Sequence, residues 1–182
     1  MKVNSTYLGG DFMMFFKILQ AKNLPRRVIL TDNPMHAKML WAHHLENATT
    51  VYEQGENLVY AGSYQDTPIM IISTDCSTVP KVLEIINATE VICMSECRTG
   101  RYPPGTIILS QSGRHSLLDH ARAVAGMYEI PVITDAVTSK LYEDTQKHQF
   151  ELLYLLTVSE ETDTISRFYP AARLAFGIFE GN

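Results

Sequence analysis

The sequence predicts an α/β fold: a single domain over 1–182, with a mixed, mostly parallel central sheet and helices on both faces. Three observations predict it. Short apolar runs rich in β-branched residues alternate with longer segments whose apolar positions recur every three or four residues. The short runs are apolar throughout rather than alternating, as in strands covered on both faces. The 182 residues, 46% apolar and 19% charged, supply one core rather than two.

Residues 1–24 read as an N-terminal extension, broken at Gly9-Gly10, whose apolar run 12–16 suits an interface or a core. Residues 27–30 form a buried strand, and Asp32-Asn33-Pro34 supplies a cap and a first-turn proline for a helix to about Leu45. Strands follow at 51–53, 58–64 and 69–73, the last two joined by Gln65-Asp66-Thr67-Pro68, a hairpin signal. Val79, Val82, Leu83 and Ile86 mark a helix over 77–87. Residues 91–94 and 106–109 are strands separated by a Gly- and Pro-rich loop at 98–105. Leu117, Ala121, Val124 and Ala125 form the stripe of a helix at 116–127, and 132–134 and 152–158 are further strands. Residues 164–179 form an amphipathic helix in which Pro170 marks the first turn or a kink.

Fifteen basic against 20 acidic residues give a net charge of −5. With no basic run longer than Arg26-Arg27, nucleic acid is not an expected partner. The longest apolar stretches, 12–16 and 152–156, fall far short of the roughly 18 residues of a membrane span. Asp11 and Lys17 around the first of them argue against a signal peptide, so a cytoplasmic protein is expected. The odd count of cysteines, Cys76, Cys93 and Cys97, fits a reducing compartment, with Cys93 and Cys97 packed at the end of a buried strand. His36 and His43 share a helical face, but no acid or cysteine accompanies them at ligand spacing. They are read as part of a surface helix, and neither metal nor cofactor is expected. The sequence has no GxGxxG, Walker A or GxSxG motif.

Parallel sheets take ligands beyond the carboxyl ends of their strands, which directs attention to 31–36, 74–77, 95–98, 135–139 and 159–163. In their order and spacing these loops resemble the nucleoside phosphorylase and nucleosidase superfamily, above all the bacterial purine and uridine phosphorylases. Residues 28–38, Val-Ile-Leu-Thr-Asp-Asn-Pro-Met-His-Ala-Lys, are similar to that family's first strand, Gly-Asp-Pro loop and following helix. Residues 60–69 resemble its tyrosine-glycine-threonine-tyrosine hairpin, and 88–97 the strand leading to its glycine-serine loop. Residues 138–142 resemble a base-stacking segment, and 156–160 the strand that ends in a serine and an acid.

The resemblance implies a shortened, diverged phosphorylase-like chain. Cleaving an N-glycosidic bond requires a protonated or neutralised leaving base and an anion or water beneath the anomeric carbon. Phosphate in that place calls for backbone N–H groups, hydroxyls and arginine. Here the first cradle glycine is matched by Asp32, the helix arginine by His36, which is only partly protonated at neutral pH, the strand arginine by Cys93 and the serine by Glu96. The arginine lent between subunits falls near Gly55, and 143–151 is too short for the strand and helix that carry the family's ribose clamp. What survives is Ser159-Glu160, where the family hydrogen-bonds or protonates a purine. Glu160 is the candidate catalytic acid, against the plainer reading of a solvated acid opening Glu160-Glu161-Thr162-Asp163. Tyr142, with Thr138 and Ser159 as further substrate contacts, either stacks on a base or packs on the core.

The resulting expectation is a protein that binds a nucleobase or nucleoside without ordinary phosphorolysis. The alternatives are an active phosphorylase or nucleoside hydrolase with Glu160 as acid, a scaffold subunit of an active paralogue, and a likeness of fold alone with an unrelated ligand. The resemblance also implies a homo-oligomer, dimeric or built from dimers, with Trp41, Met39 and 12–16 as candidate interface.

Overall fold

A computed structural model describes residues 8–112, 116–135, 150–159 and 165–180. In chain order the elements are α1 (Leu8–Gln20), β1 (Arg27–Thr31), α2 (Pro34–His44), β2 (Glu46–Gln54), β3 (Asn57–Tyr64), β4 (Thr67–Ser73), α3 (Val79–Ile85), β5 (Glu90–Cys97), β6 (Ile107–Ser112), α4 (Ser116–Met127), β7 (Val132–Thr134), β8 (Glu151–Val158) and α5 (Ile165–Phe179). The strands form one sheet in the order β2-β3-β4-β1-β5-β8-β6-β7. Its central members are apolar throughout because both faces are covered. Helices α2, α4 and α5 bury one face, with Leu40, Leu117, Phe168 and Phe176 in that core. Helices α1 and α3 bury the other, with Phe15, Leu19, Val82 and Leu83.

Local chemistry fixes most boundaries. Pro34 opens α2 with Asn33 as its cap, the Asn33 Oδ1 accepting from the Met35 N–H at 2.9 Å. The hairpin between β3 and β4 turns on Gln65 and Asp66, with φ of 46° and 64°, the two-residue turn whose twist suits paired strands. Helix α3 ends on Asn87 at φ 52°, with Asn87 N–H bonded to Glu84 and Ala88 N–H to Leu83. That pattern satisfies carbonyls the helix end leaves open.

Three expectations are corrected. Gly9-Gly10 does not break the chain but lies in the first turn of α1, where N–H groups lack intrahelical partners in any sequence. The helix is held further along, where Phe15 meets the Tyr52 ring at a centroid distance of 4.7 Å and Leu19 is buried. Pro170 sits beyond the first turn, inside α5 and exposed, which removes the first-turn reading, and the helix continues past it on the strength of the apolar face it buries. Most consequentially, β6 runs antiparallel to β8, and β7 parallel to β6. Strands β1, β4, β5 and β8 share one direction and deliver their following loops to one edge of the sheet. The loop after β7 starts from a strand pointing the other way.

Candidate functional site

At the shared carboxyl edge, β1 ends in Thr31, whose Oγ1 accepts from the Asn33 N–H at 3.2 Å. The helix begins at once, so its first turn carries His36 inward, where it is 4% exposed. Its ring lies against Phe168 of α5, with centroids 4.1 Å apart and planes 25° apart. Its Nε2 stands 3.6 Å from Glu96 Oε1 at the end of β5. Ser95 Oγ donates to Asp32 Oδ2 at 2.7 Å and so ties the end of β5 to the loop after β1. Parallel pairing sets Thr157 of β8 opposite Glu96, and the Ser159 N–H donates to Cys97 O at 3.0 Å. His36, Ser95, Glu96, Thr157 and Ser159, over an apolar floor of Met94, Leu155 and Phe168, surround a recess with about 10 Å³ of free interior. That is room for about one water.

Burial pushes the His36 pKa below its ordinary 6.5, against the opposing pull of the Glu96 and Asp32 carboxylates. His36 is therefore a buried, neutral imidazole rather than the partly protonated surface residue expected from the sequence. Cys93 is a thiol, pushed up to about 12 by burial first and by the negative charge of Asp32 next, and so is no nucleophile at neutral pH. Cys97 is raised by burial too, and Cys76 is exposed. Among the described residues no group of three or more His, Cys, Asp and Glu side chains is placed to hold a metal ion. Asp135, after β7, is bound by Arg101 Nη1 at 3.0 Å and by the Tyr102 hydroxyl at 2.9 Å.

The structure thus gathers Asp32, His36, Glu96 and Ser159 at one edge, with Cys93 three residues before Glu96 on β5. Thr138, Tyr142 and Glu160 lie outside the described residues. Phe168 and Thr157 had no signal in the sequence. One is an apolar residue on an amphipathic helix, the other a polar residue in an apolar strand, and only the packing of α5 and the β5–β8 register bring them to the site.

The histidines give a first prediction. Burial lowers His36, and burial together with the neighbouring His43 lowers His44. The unfolded chain then binds protons at about pH 6.5 that the folded chain refuses, so stability falls on acidification through 6.5 and levels off below the folded pKa. Urea unfolding is expected to give a lower free energy at pH 5.5 than at pH 7.5, and His44→Asn is expected to narrow the gap. An unchanged or rising stability on acidification would contradict this.

The fold defines the class: it is nucleoside phosphorylase-like. A solved structure described as the P. knowlesi homologue of P. falciparum PNP matches with a TM-score of 0.70 and 10% identity, over 86% of this chain and 88% of that one. The purine nucleoside phosphorylase from Toxoplasma gondii, solved with immucillin-H, matches with a TM-score of 0.69 and 10% identity, over 86% and 91%. No family model matches the sequence, and no curated protein does. No helix among the described residues is long and apolar enough to cross a membrane.

Proposed function

We propose that the protein binds a nucleobase or nucleoside at the carboxyl edge of β1, β5 and β8 and does not carry out phosphorolysis. One observation carries the reading. Where an attacking phosphate would need cationic and N–H donors, the described residues at the site present the Asp32 and Glu96 carboxylates and a buried His36 kept neutral. No lysine or arginine is among the described residues lining the recess. Unit like charges 4 Å apart repel by about 1 kcal/mol in water and about 4 kcal/mol near a protein surface. Two carboxylates against a phosphate dianion therefore weaken its binding by well over tenfold. The interval 135–150 between β7 and β8, whose sequence has no glutamate-methionine-glutamate motif of the kind that clamps a ribose, supports the same reading. Glu160, Tyr142, Thr138 and Ser159 are assigned to the base and its sugar. A homo-oligomer belongs to the proposal, supported by the exposed apolar side chains Met13, Met14, Met35 and Tyr169. So does a reducing, cytoplasmic setting, supported by three free cysteines.

The test is thermal unfolding with a panel of purine and pyrimidine bases and nucleosides, alongside chromatography for released base with and without phosphate. A base or nucleoside is expected to raise the melting temperature, because a ligand that binds only the native state stabilises it. No base release should depend on phosphate. Phosphate-dependent release would overturn the proposal, and release in phosphate-free buffer would transfer the site to a hydrolase.

A further inference from the structure

The sheet leaves a groove at its amino edge, at the opposite end of β1 and β5 from Asp32 and Glu96. Strand β4 begins at Thr67, yet its ladder with β1 begins only at Val28 and Met70. Pro25 and Pro68, which have no N–H to donate, mark where the ladder gives out. The chain just before β1 is irregular, and an open groove of about 510 Å³ lies beside it, lined among others by Leu24, Pro25, Arg26, Pro68 and Thr89. That volume falls within the roughly 300–1,000 Å³ of small-molecule sites.

The walls are held without a ligand. Thr89 uses both of its backbone groups, the N–H donating to Arg26 O at 2.9 Å and the carbonyl accepting from the Glu151 N–H at 2.9 Å. Arg27, which also lines the groove, is locked: its Nε donates to Glu90 Oε2 at 2.6 Å and its Nη1 to Phe179 O at 3.4 Å. Leu24 is half-buried against the core under α1 and α3. The two prolines have fixed φ angles. Arg26 differs from these. It is exposed, and among the described residues it enters no ion pair. The nearby acids do not neutralise it, since Glu90 is held by Arg27 and Asp66, two residues before Pro68, does not line the groove. On a chain of net charge −5, this concave surface is cationic and partly apolar.

Charge complementarity defines the occupant. Arginine presents a planar fork of N–H donors that fits the paired oxygens of a carboxylate or phosphate. An ion pair in an open groove is weak by itself. Affinity therefore also needs apolar surface taken out of water against Leu24, Pro25 and Pro68.

We propose that the amino-edge groove binds a small organic anion, a carboxylate or phosphate monoester on a flat apolar body, with its oxygens on Arg26 and its body against Leu24, Pro25 and Pro68. This is a second site, remote from the carboxyl edge, and it does not depend on the function proposed for that edge.

The probes are benzoate and phenyl phosphate, with benzamide as the neutral counterpart and acetate and inorganic phosphate as anions without the ring. Each is titrated at constant ionic strength and followed by NMR of the backbone amides. Benzoate or phenyl phosphate is expected to shift the amides of Leu24, Arg26 and Thr89 saturably and to bind about tenfold more tightly than benzamide and the ringless anions. The tighter of the two identifies the oxyanion. Arg26→Gln is expected to erase the preference over benzamide, and its melting curve without ligand reports that it folds. The site would be overturned by saturable shifts confined to the carboxyl edge, by no saturable shift at the amino edge, or by benzamide or a ringless anion binding as tightly as the best probe. A preference for the anion that survives Arg26→Gln would overturn it as well.

Discussion

Replacing Phe168 by alanine is expected to lower the unfolding free energy by about 3–5 kcal/mol and to raise the pKa of His36 in the same variant. Phe168 is 6% exposed and belongs to the core between α5 and the sheet. Truncation removes the transfer free energy of the ring and leaves a cavity that the sheet cannot close. Its position in the first turns of α5 allows some collapse, which favours the lower end of the range. Even about 3 kcal/mol is a large share of the 5–15 kcal/mol that stabilises a typical domain. The second effect follows from the stack on His36, whose low pKa comes first from burial. Water entering where the ring was removes that cause, while Glu96 and Asp32 continue to favour the imidazolium. His36 should then titrate close to or above its ordinary 6.5. Urea unfolding at an unchanged m-value reads the stability, and NMR titration of the His36 ring reads the pKa. Phe168→Leu should restore much of the stability. A His36 pKa unmoved by Phe168→Ala would show that burial by this ring is not what keeps the imidazole neutral.

That coupling of two helix residues 132 positions apart shows where sequence reasoning stops. Signals carried by neighbours in the chain were legible. Asn33-Pro34 states both the cap and the first turn of α2, and the apolar spacing of Leu117, Ala121, Val124 and Ala125 fixes the buried stripe of α4. Strand direction was not legible, because an apolar run such as 107–112 reads the same whichever way it lies in the sheet. The reversal of β6 and β7 decides which loops meet, and it shows only in the pairing with β8, some forty positions further along the chain. Gly9-Gly10 misled for a related reason, since helix α1 is held by Phe15 against Tyr52, a contact of distant residues. The candidate site was half legible. Asp32, His36 and Glu96 follow strands of one direction, so their meeting could be anticipated, as could the shortage of cationic side chains. The burial of His36 could not, because an imidazole in the first turn of a helix faces water unless another element covers it, and that element is α5, far along the chain.

The close contact of α4 with α5 leads to the second large effect. Gly177→Val is expected to destabilise the protein by about 3 kcal/mol, and Gly177→Ala by about 1–2 kcal/mol. A Cβ at Gly177 would lie 2.4 Å from Tyr128 Cε2, 2.9 Å from its hydroxyl oxygen and 2.9 Å from Val124 Cγ1. Two effects oppose each other. Alanine in place of glycine favours a helix by up to about 1 kcal/mol, whereas forcing extra carbon into a packed interface costs about 1–3 kcal/mol. The outcome depends on whether Tyr128 can withdraw. Its hydroxyl donates to Glu180 Oε2 at 3.1 Å, and the Arg173 guanidinium lies 4.5 Å over its ring. Its backbone sits at the end of α4, fixed by Glu129 at φ 55° and by the Ile130 N–H to Ala125 O bond of 2.9 Å. Moving the ring gives up these contacts together, so the steric cost exceeds the gain in helix propensity. Valine adds two methyl groups and loses the propensity gain, which makes it the larger effect. At about 2–4 °C per kcal/mol for a chain of this size, Gly177→Val should melt roughly 6–12 °C lower. The sign of the effect reverses once the ring is gone. In a Tyr128→Ala background, Gly177→Ala should become neutral or stabilising, because only the propensity gain and a movable Val124 methyl remain. If Gly177→Ala is equally destabilising in both backgrounds, the contact with Tyr128 is not the reason for glycine at this position.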